Sequence, residues 1–317
     1  MEAGILEYGL FTQRVDLVEW AGKVYDWARG VGTSFGWFPE FVGQQACETC
    51  CITDMIDLAI MLAESGSEQY WDDVERYGRN HLVESQFADM RWLQQLPAET
   101  GKADRDYFRK LDERMYCRES VAEVMRGGFS GGSAPNSIVD SRRGHWWMGC
   151  CNAHGVHGLY LLWHHAVRKT DQGVLVNLLV NRSTPWVTVD SFLPHHGKID
   201  VTVIDAPVLY IRVPRWLDRK TVRTAGVAGN RRWRGDYLRF SRLSRGTRVS
   251  VTFSMENRAQ RVRVLDDDYT VPWRGNTVTK IEPPGAQGPL YQRTHLEKAE
   301  APLKSYEYTV PSQEIRW

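Results

Sequence analysis

Of the six cysteines in this chain, five fall in two tight groups. Cys47, Cys50 and Cys51 lie about a hundred residues before the vicinal pair Cys150-Cys151, and each group stands at the start of a stretch with helical periodicity. Vicinal cysteines make a strained disulfide, because the bond needs its two Cα atoms farther apart than adjacent residues allow comfortably. Metal ligation suits them better. Four thiols from a Cys-x-x-Cys and a Cys-Cys pair match the donor type and fourfold coordination that zinc prefers, so spacing alone selects Cys47, Cys50, Cys150 and Cys151 as a closed structural site. The plain alternative is that all of them fill space, since free cysteine is among the most buried residue types. Cys117, isolated in a charged segment, is read that way.

The 317 residues suffice for about two domains, and 42% hydrophobic with 25% charged residues is an ordinary globular balance. No apolar run approaches the ~18 residues of a membrane span, which excludes a membrane helix. The net charge of +1 conceals an asymmetry. Met1 to Arg168 holds 16 basic and 24 acidic side chains, and Lys169 to Trp317 holds 24 and 15. The arginines of the basic half are interleaved with strand residues and aspartates rather than gathered in one run, which argues against nucleic acid. Thirteen tryptophans are many, and they either fill the core or offer stacking surfaces to sugar rings. The opening Met1-Glu2-Ala3-Gly4 lacks a basic segment followed by an apolar one, so a reducing, cytoplasmic setting is expected.

Two kinds of periodicity divide the chain. Up to Arg168 apolar residues recur at helical spacing in about five segments: Val15 to Trp27, Cys47 to Ala63, Ser67 to Gln86, Asp104 to Met125, and a last one from Cys151 through Trp163. A glycine-rich loop, Gly127 to Gly132, leads toward the last of these, and long loops of that kind are usually functional or disordered. Beyond Thr170 the period becomes two. Val174 to Val180, Trp186 to Val189, Ile199 to Val203, Val208 to Val213, Tyr237 to Phe240 and Val249 to Phe253 read as short strands of an antiparallel β-sandwich. The expected division is a helical domain over 1–168 and a sandwich with a C-terminal tail over 169–317. The proline-bearing tail from Tyr269 is expected to wander before a strand near Tyr306 to Val310.

Glu48-Thr49-Cys50 before an apolar helix, Cys150-Cys151 opening another, and the strand Tyr210-Ile211-Arg212-Val213-Pro214-Arg215-Trp216 together resemble the β-L-arabinofuranosidases of glycoside hydrolase family 127. Gly235-Asp236-Tyr237-Leu238-Arg239-Phe240 and Arg245-Gly246-Thr247-Arg248-Val249 resemble that family's sandwich. The resemblance implies zinc held by Glu48, Cys50, Cys150 and Cys151, replacing Cys47 of the spacing argument by Glu48. It implies Cys150 as the nucleophile of a retaining glycosidase, since a metal keeps a thiol deprotonated near neutral pH. A retaining enzyme also needs a carboxyl that protonates the leaving oxygen and later activates water. In that family the carboxyl lies on a loop before the Glu-x-Cys motif, so the resemblance implies Glu40, in Thr33-Ser34-Phe35-Gly36-Trp37-Phe38-Pro39-Glu40, against the reading of an exposed loop carboxylate.

His145, Trp146 and Trp147, just before the nucleophile, are candidates for a sugar pocket, with tryptophan packing as the alternative. His154 and His157, one turn apart, are read as packing. The implied substrate is a terminal β-L-arabinofuranoside or a related glycan. The family's helical part is an (α/α)6 barrel, whereas the segments here begin inside its second half, so a partial barrel followed by the sandwich is expected. The rival reading is a zinc-stabilised carbohydrate-binding protein or an inactive fragment of such an enzyme.

Overall fold

The computed structural model describes residues 2–95, 121–139, 148–227 and 231–298. Cys117, His145, Trp146, Trp147 and the strand expected at Tyr306 to Val310 lie outside the described residues. The described helices are α1 (Glu2–Phe11), α2 (Val15–Val31), α3 (Thr49–Glu64), α4 (Trp71–Tyr77), α5 (Val121–Met125) and α6 (Gly149–His165). None among the described residues is long and apolar enough to cross a membrane.

Helix α3 is the centre of this layer. Ile52, Ile56, Ala59, Ile60 and Leu62 bury on several of its sides, so it is enclosed by α1, α2, α4 and α6 rather than lying on a surface. It ends at Ser65, and Gly66 follows at φ +117°, a conformation that a side chain would resist. Helix α1 escaped the sequence reading because its apolar residues surround the axis and it contains two glycines; only Leu6 and Gly9 are buried. The single helix expected from Ser67 to Gln86 is instead a 3-10 turn (Glu68–Tyr70), α4, and a π turn (Gly78–Leu82). Packing overrides the regular spiral there. A Cβ on Gly78 would meet Leu162 at 2.4 Å, and buried Asn80 and His81 are turned toward partners far along the chain.

The strands follow: β1 (Val167–Thr170), β2 (Gly173–Val176), β3 (Arg182–Ser183), β4 (Val187–Ser191), β5 (Lys198–Val203), β6 (Val208–Arg212), β7 (Arg223–Ala225), β8 (Arg231–Arg234), β9 (Tyr237–Ser241), β10 (Arg248–Thr252), β11 (Asn257–Val264), β12 (Asp267–Arg274) and β13 (Thr277–Val278). Two five-stranded sheets, β1-β2-β6-β9-β8 and β3-β4-β5-β10-β7, face each other across a core of alternating residues such as Val174, Val189, Val201, Leu209, Phe240 and Val251. Pairing among the described strands is antiparallel with one exception, β2 beside β6. The chain leaves β2, builds β3 to β5 in the facing sheet, and returns in the same direction.

The tail expectation is corrected. From Asn257 the chain forms a hairpin of two eight-residue strands, β11 with β12, and β13 adds to it. Tyr269, Val271 and Trp273 alternate into the same core as α3 and α4, so this late segment packs on the helices. Pro272 and the charged residues on its other face concealed the alternation. The helical layer and the sandwich meet at Arg212, whose buried guanidinium donates to Asp72, Glu75 and the carbonyl of Asn177.

Candidate metal centre

Glu48 is the N-cap residue of α3 and Cys50 lies in its first turn, while Cys150 and Cys151 lie in the first turn of α6. Helices α3 and α6 run side by side in the same direction, so these two N-termini meet. The result is a cluster. One ligand atom from each of Glu48, Cys50, Cys150 and Cys151 lies within 4.8 Å of all the others, and it is the single such grouping of His, Cys, Asp or Glu among the described residues.

What brings the helix starts together is legible in small residues and loop hydrogen bonds. Gly155 and Gly158 on α6 allow close approach: a Cβ on the first would meet the Phe129 ring at 2.2 Å, and on the second Thr53 Oγ1 at 2.7 Å. The glycine-rich loop then ties both ends. Thr49 donates its hydroxyl to the Ser130 carbonyl at 2.7 Å, Asn152 Oδ1 accepts from the Phe129 N–H at 2.7 Å, and Cys47 pairs with Ser133 as an isolated bridge. Loop, α3 and α6 form one fastening around the cluster. These supporting residues were invisible in the sequence, because nothing in Thr49 or Asn152 alone signals a partner eighty or twenty residues away.

The donor set fits a metal. Cys50 Sγ and Cys151 Sγ are 3.5 Å apart, and Cys150 Sγ and Cys151 Sγ 4.0 Å. Two sulfurs bound at 2.3 Å to one tetrahedral ion stand roughly 3.8 Å apart. Without a cation, three thiols so close cannot all ionise. Cys50 is held in its protonated form by donating to Cys151 and by burial, and Cys150 is pushed up by partial burial and by Cys151, while Cys151 drops to about 7 because Cys50 hydrogen-bonds it. Neighbouring thiols thus oppose one another's ionisation, and a divalent cation would stabilise several thiolates together. Cys150 is the exposed member, Glu48 and Cys50 are half-buried, and Cys151 is buried.

Cys47, the fourth ligand chosen by spacing, is elsewhere. It is fully buried, its sulfur accepts from the Phe38 N–H at 3.4 Å, and burial drives its thiol pKa well up. Cys51, next to Cys50 but a third of a turn round α3, opens on a cavity of about 290 Å³ whose walls include Glu40, Asp54 and Tyr25. Burial, then Glu48, Asp54 and Glu40, push its thiol up to about 12. Glu40 therefore stands beside Cys51, and this cavity does not include Cys150. His154 Nδ1 is buried without a partner among the described residues, and Asn80 holds β13 by accepting from the Val278 N–H.

No family model matches this sequence, and no curated protein matches it. Solved structures do. A GH127 β-L-arabinofuranosidase from Geobacillus stearothermophilus T6 superposes with a TM-score of 0.60 at 13% identity, over 87% of this chain and 45% of that one. A second GH127 β-arabinofuranosidase gives a TM-score of 0.54 at 16% identity, over 88% and 46%. The chain thus spans a little under half the length of the enzymes it resembles. At these identities the likeness is one of fold: helices followed by a β-sandwich, arranged as in those glycoside hydrolases.

Proposed function

We propose that this protein is a zinc-dependent retaining glycoside hydrolase of the β-L-arabinofuranosidase family, built on part of an (α/α)6 barrel and a sandwich. The observation that carries the reading is the convergence of Glu48, Cys50, Cys150 and Cys151 within 4.8 Å from two helix starts a hundred residues apart. These four would hold the zinc ion, which when bound keeps the thiols deprotonated near neutral pH.

In this reading the exposed Cys150 sulfur attacks the anomeric carbon of a terminal L-arabinofuranoside or related glycan. The C–S bond forms as the C–O bond to the leaving group breaks, and the Glu40 carboxyl donates its proton to the departing oxygen. The Glu40 carboxylate then takes a proton from water, whose oxygen displaces Cys150 and regenerates the starting configuration. His145, Trp146 and Trp147 would line the sugar pocket.

The second reading, a zinc-stabilised carbohydrate-binding protein without turnover, draws support from Glu40, which opens on the Cys51 cavity. One experiment separates them. The wild type and Cys150→Ser are compared for zinc content and for release of p-nitrophenol from an aryl β-L-arabinofuranoside. An enzyme shows turnover that the variant loses entirely; turnover absent from a zinc-loaded wild type establishes the binding protein.

A further inference from the structure

Strand β8 reads Arg231-Arg232-Trp233-Arg234 and forms an edge of the first sandwich sheet, beside β9 with Arg239 at its centre. Arg232 stands directly opposite Arg239, Arg234 opposite Tyr237, and Arg239 opposite Tyr210 of β6. Side chains opposite one another share a face, so three guanidiniums and two tyrosines gather on the outer face of this sheet, at the seam with the helices.

What they hold is notable for its neutrality. Arg234 Nη1 and Arg239 Nε both donate to one acceptor, the Tyr210 hydroxyl, at 3.3 and 3.2 Å, and Arg234 also donates to the Gln172 side chain. Both guanidiniums lie over the Tyr210 ring, 5.6 and 5.9 Å from its centre. None of the three arginines forms an ion pair among the described residues, whereas neighbouring Arg215 and Arg219 share Asp236. Two cations that share one neutral acceptor repel each other, and neither is matched by an ion pair among the described residues. A carboxylate would match that charge, since its two oxygens accept from charged donors.

Beside them lies a cleft of about 340 Å³, at the lower end of small-ligand sites, which run from about 300 to 1,000 Å³. Leu175 and Tyr237 supply an apolar wall, and Thr170, Asp171 and Gln172 a polar exposed rim. Glu68, also in the wall, is engaged by the backbone N–H of Asp236 at 2.7 Å. Asp171 opposes a dense polyanion but accepts hydrogen bonds from hydroxyls. Charge that recognises one carboxylate, acceptors for hydroxyls and an apolar wall together describe an acidic sugar.

We propose that this cleft binds a uronate residue of a glycan, with Arg234 in its wall taking the carboxylate and Arg239, which shares the Tyr210 hydroxyl with Arg234, adding its charge. The site is separate from the metal cluster, and the inference does not rest on the hydrolase reading. Isothermal titration of the whole chain with a galacturonate disaccharide, its neutral galactose counterpart, inorganic phosphate and single-stranded RNA tests it. The expected result is galacturonate binding at least about tenfold tighter than any other probe, weakened about tenfold or more in Arg234→Gln and in Arg239→Gln, with zinc content unchanged. Arg234 is exposed, so its variant carries the test if Arg239→Gln unfolds. Equal affinity for the neutral sugar, for phosphate or for RNA, or undiminished affinity in the arginine variants, would overturn the assignment.

Discussion

Thr53, one turn into α3, donates its hydroxyl to the backbone carbonyl of His154 in α6 at 2.9 Å, which pins the two sulfur-bearing helices together just beyond the cluster. The contact depends on Gly158, where a Cβ would stand 2.7 Å from Thr53 Oγ1 and 3.0 Å from Leu82. In a free helix Gly to Ala gains about 1 kcal/mol, but here the added methyl overpacks the interface by about 1–3 kcal/mol. Gly158→Ala is therefore expected to lower the urea midpoint and to weaken zinc retention against a chelator; a stabilised variant would show that the helices are free to separate.

Cysteine variants distinguish ligands from packing. Cys50→Ser should leave zinc well below one ion per chain, whereas Cys47→Ser, removing a buried sulfur outside the cluster, should retain about one while losing some stability. Elemental analysis of both, purified under reducing conditions, reads the answer directly.

Glu40→Gln keeps size and polarity but cannot deliver or take up the proton. If Glu40 is the acid/base, turnover falls by about 10²- to 10⁴-fold while zinc content stays constant. A loss smaller than threefold would move the role to another carboxyl.

His81 is fully buried, hydrogen-bonded to the Tyr291 hydroxyl and Ser133 Oγ at 3.0 Å each, and burial lowers it to about 3. The unfolded imidazole titrates near 6.5, so between these values the unfolded chain binds the extra proton. Stability from this residue is intact above pH 6.5 and is lost as pH falls toward 3, by at most about 1.4 kcal/mol per unit. Urea midpoints at pH 7, 6 and 5 should fall more steeply for the wild type than for His81→Gln.

Arg212→Met tests the joint between helices and sandwich. Removing the guanidinium strands Glu75, fully buried and held ionised chiefly by Arg212 and Arg79 against its own burial, at an expected cost of about 3–5 kcal/mol. Replacing Glu75 by Gln in the same chain should recover part of it, measured by denaturant unfolding.

The candidate cluster was readable because its residues announce themselves: cysteine pairs at helix starts, with Glu48 supplied by resemblance and Cys47 misassigned by spacing. In a Cys-x-x-Cys leading into a helix, only the second cysteine lies in the first turn; the first is still in the extended segment that pairs with Ser133. Six of the ten described sandwich strands were equally plain, since Val, Ile and Leu alternate there with polar residues; β1, β3, β7 and β8, short and rich in arginine, were not. Segments whose burial depends on remote partners were not. Helix α1 has no polar face to mark its orientation, the π turn at Gly78–Leu82 answers to Leu162 and Tyr291, and β11 and β12 carry arginine and aspartate on the side that a tail would show.

Tyr291, which closes over His81, is made more than two hundred residues after it. During synthesis these helices leave the ribosome before the strands, yet their core lacks Tyr269, Val271, Trp273 and Tyr291 until the sandwich has been made. The sandwich, whose strands pair mainly among themselves, can assemble while that core still waits. The layer made earlier is thus finished after the sandwich, and the nascent chain carries exposed apolar surface throughout that interval, in which chaperone capture competes with aggregation.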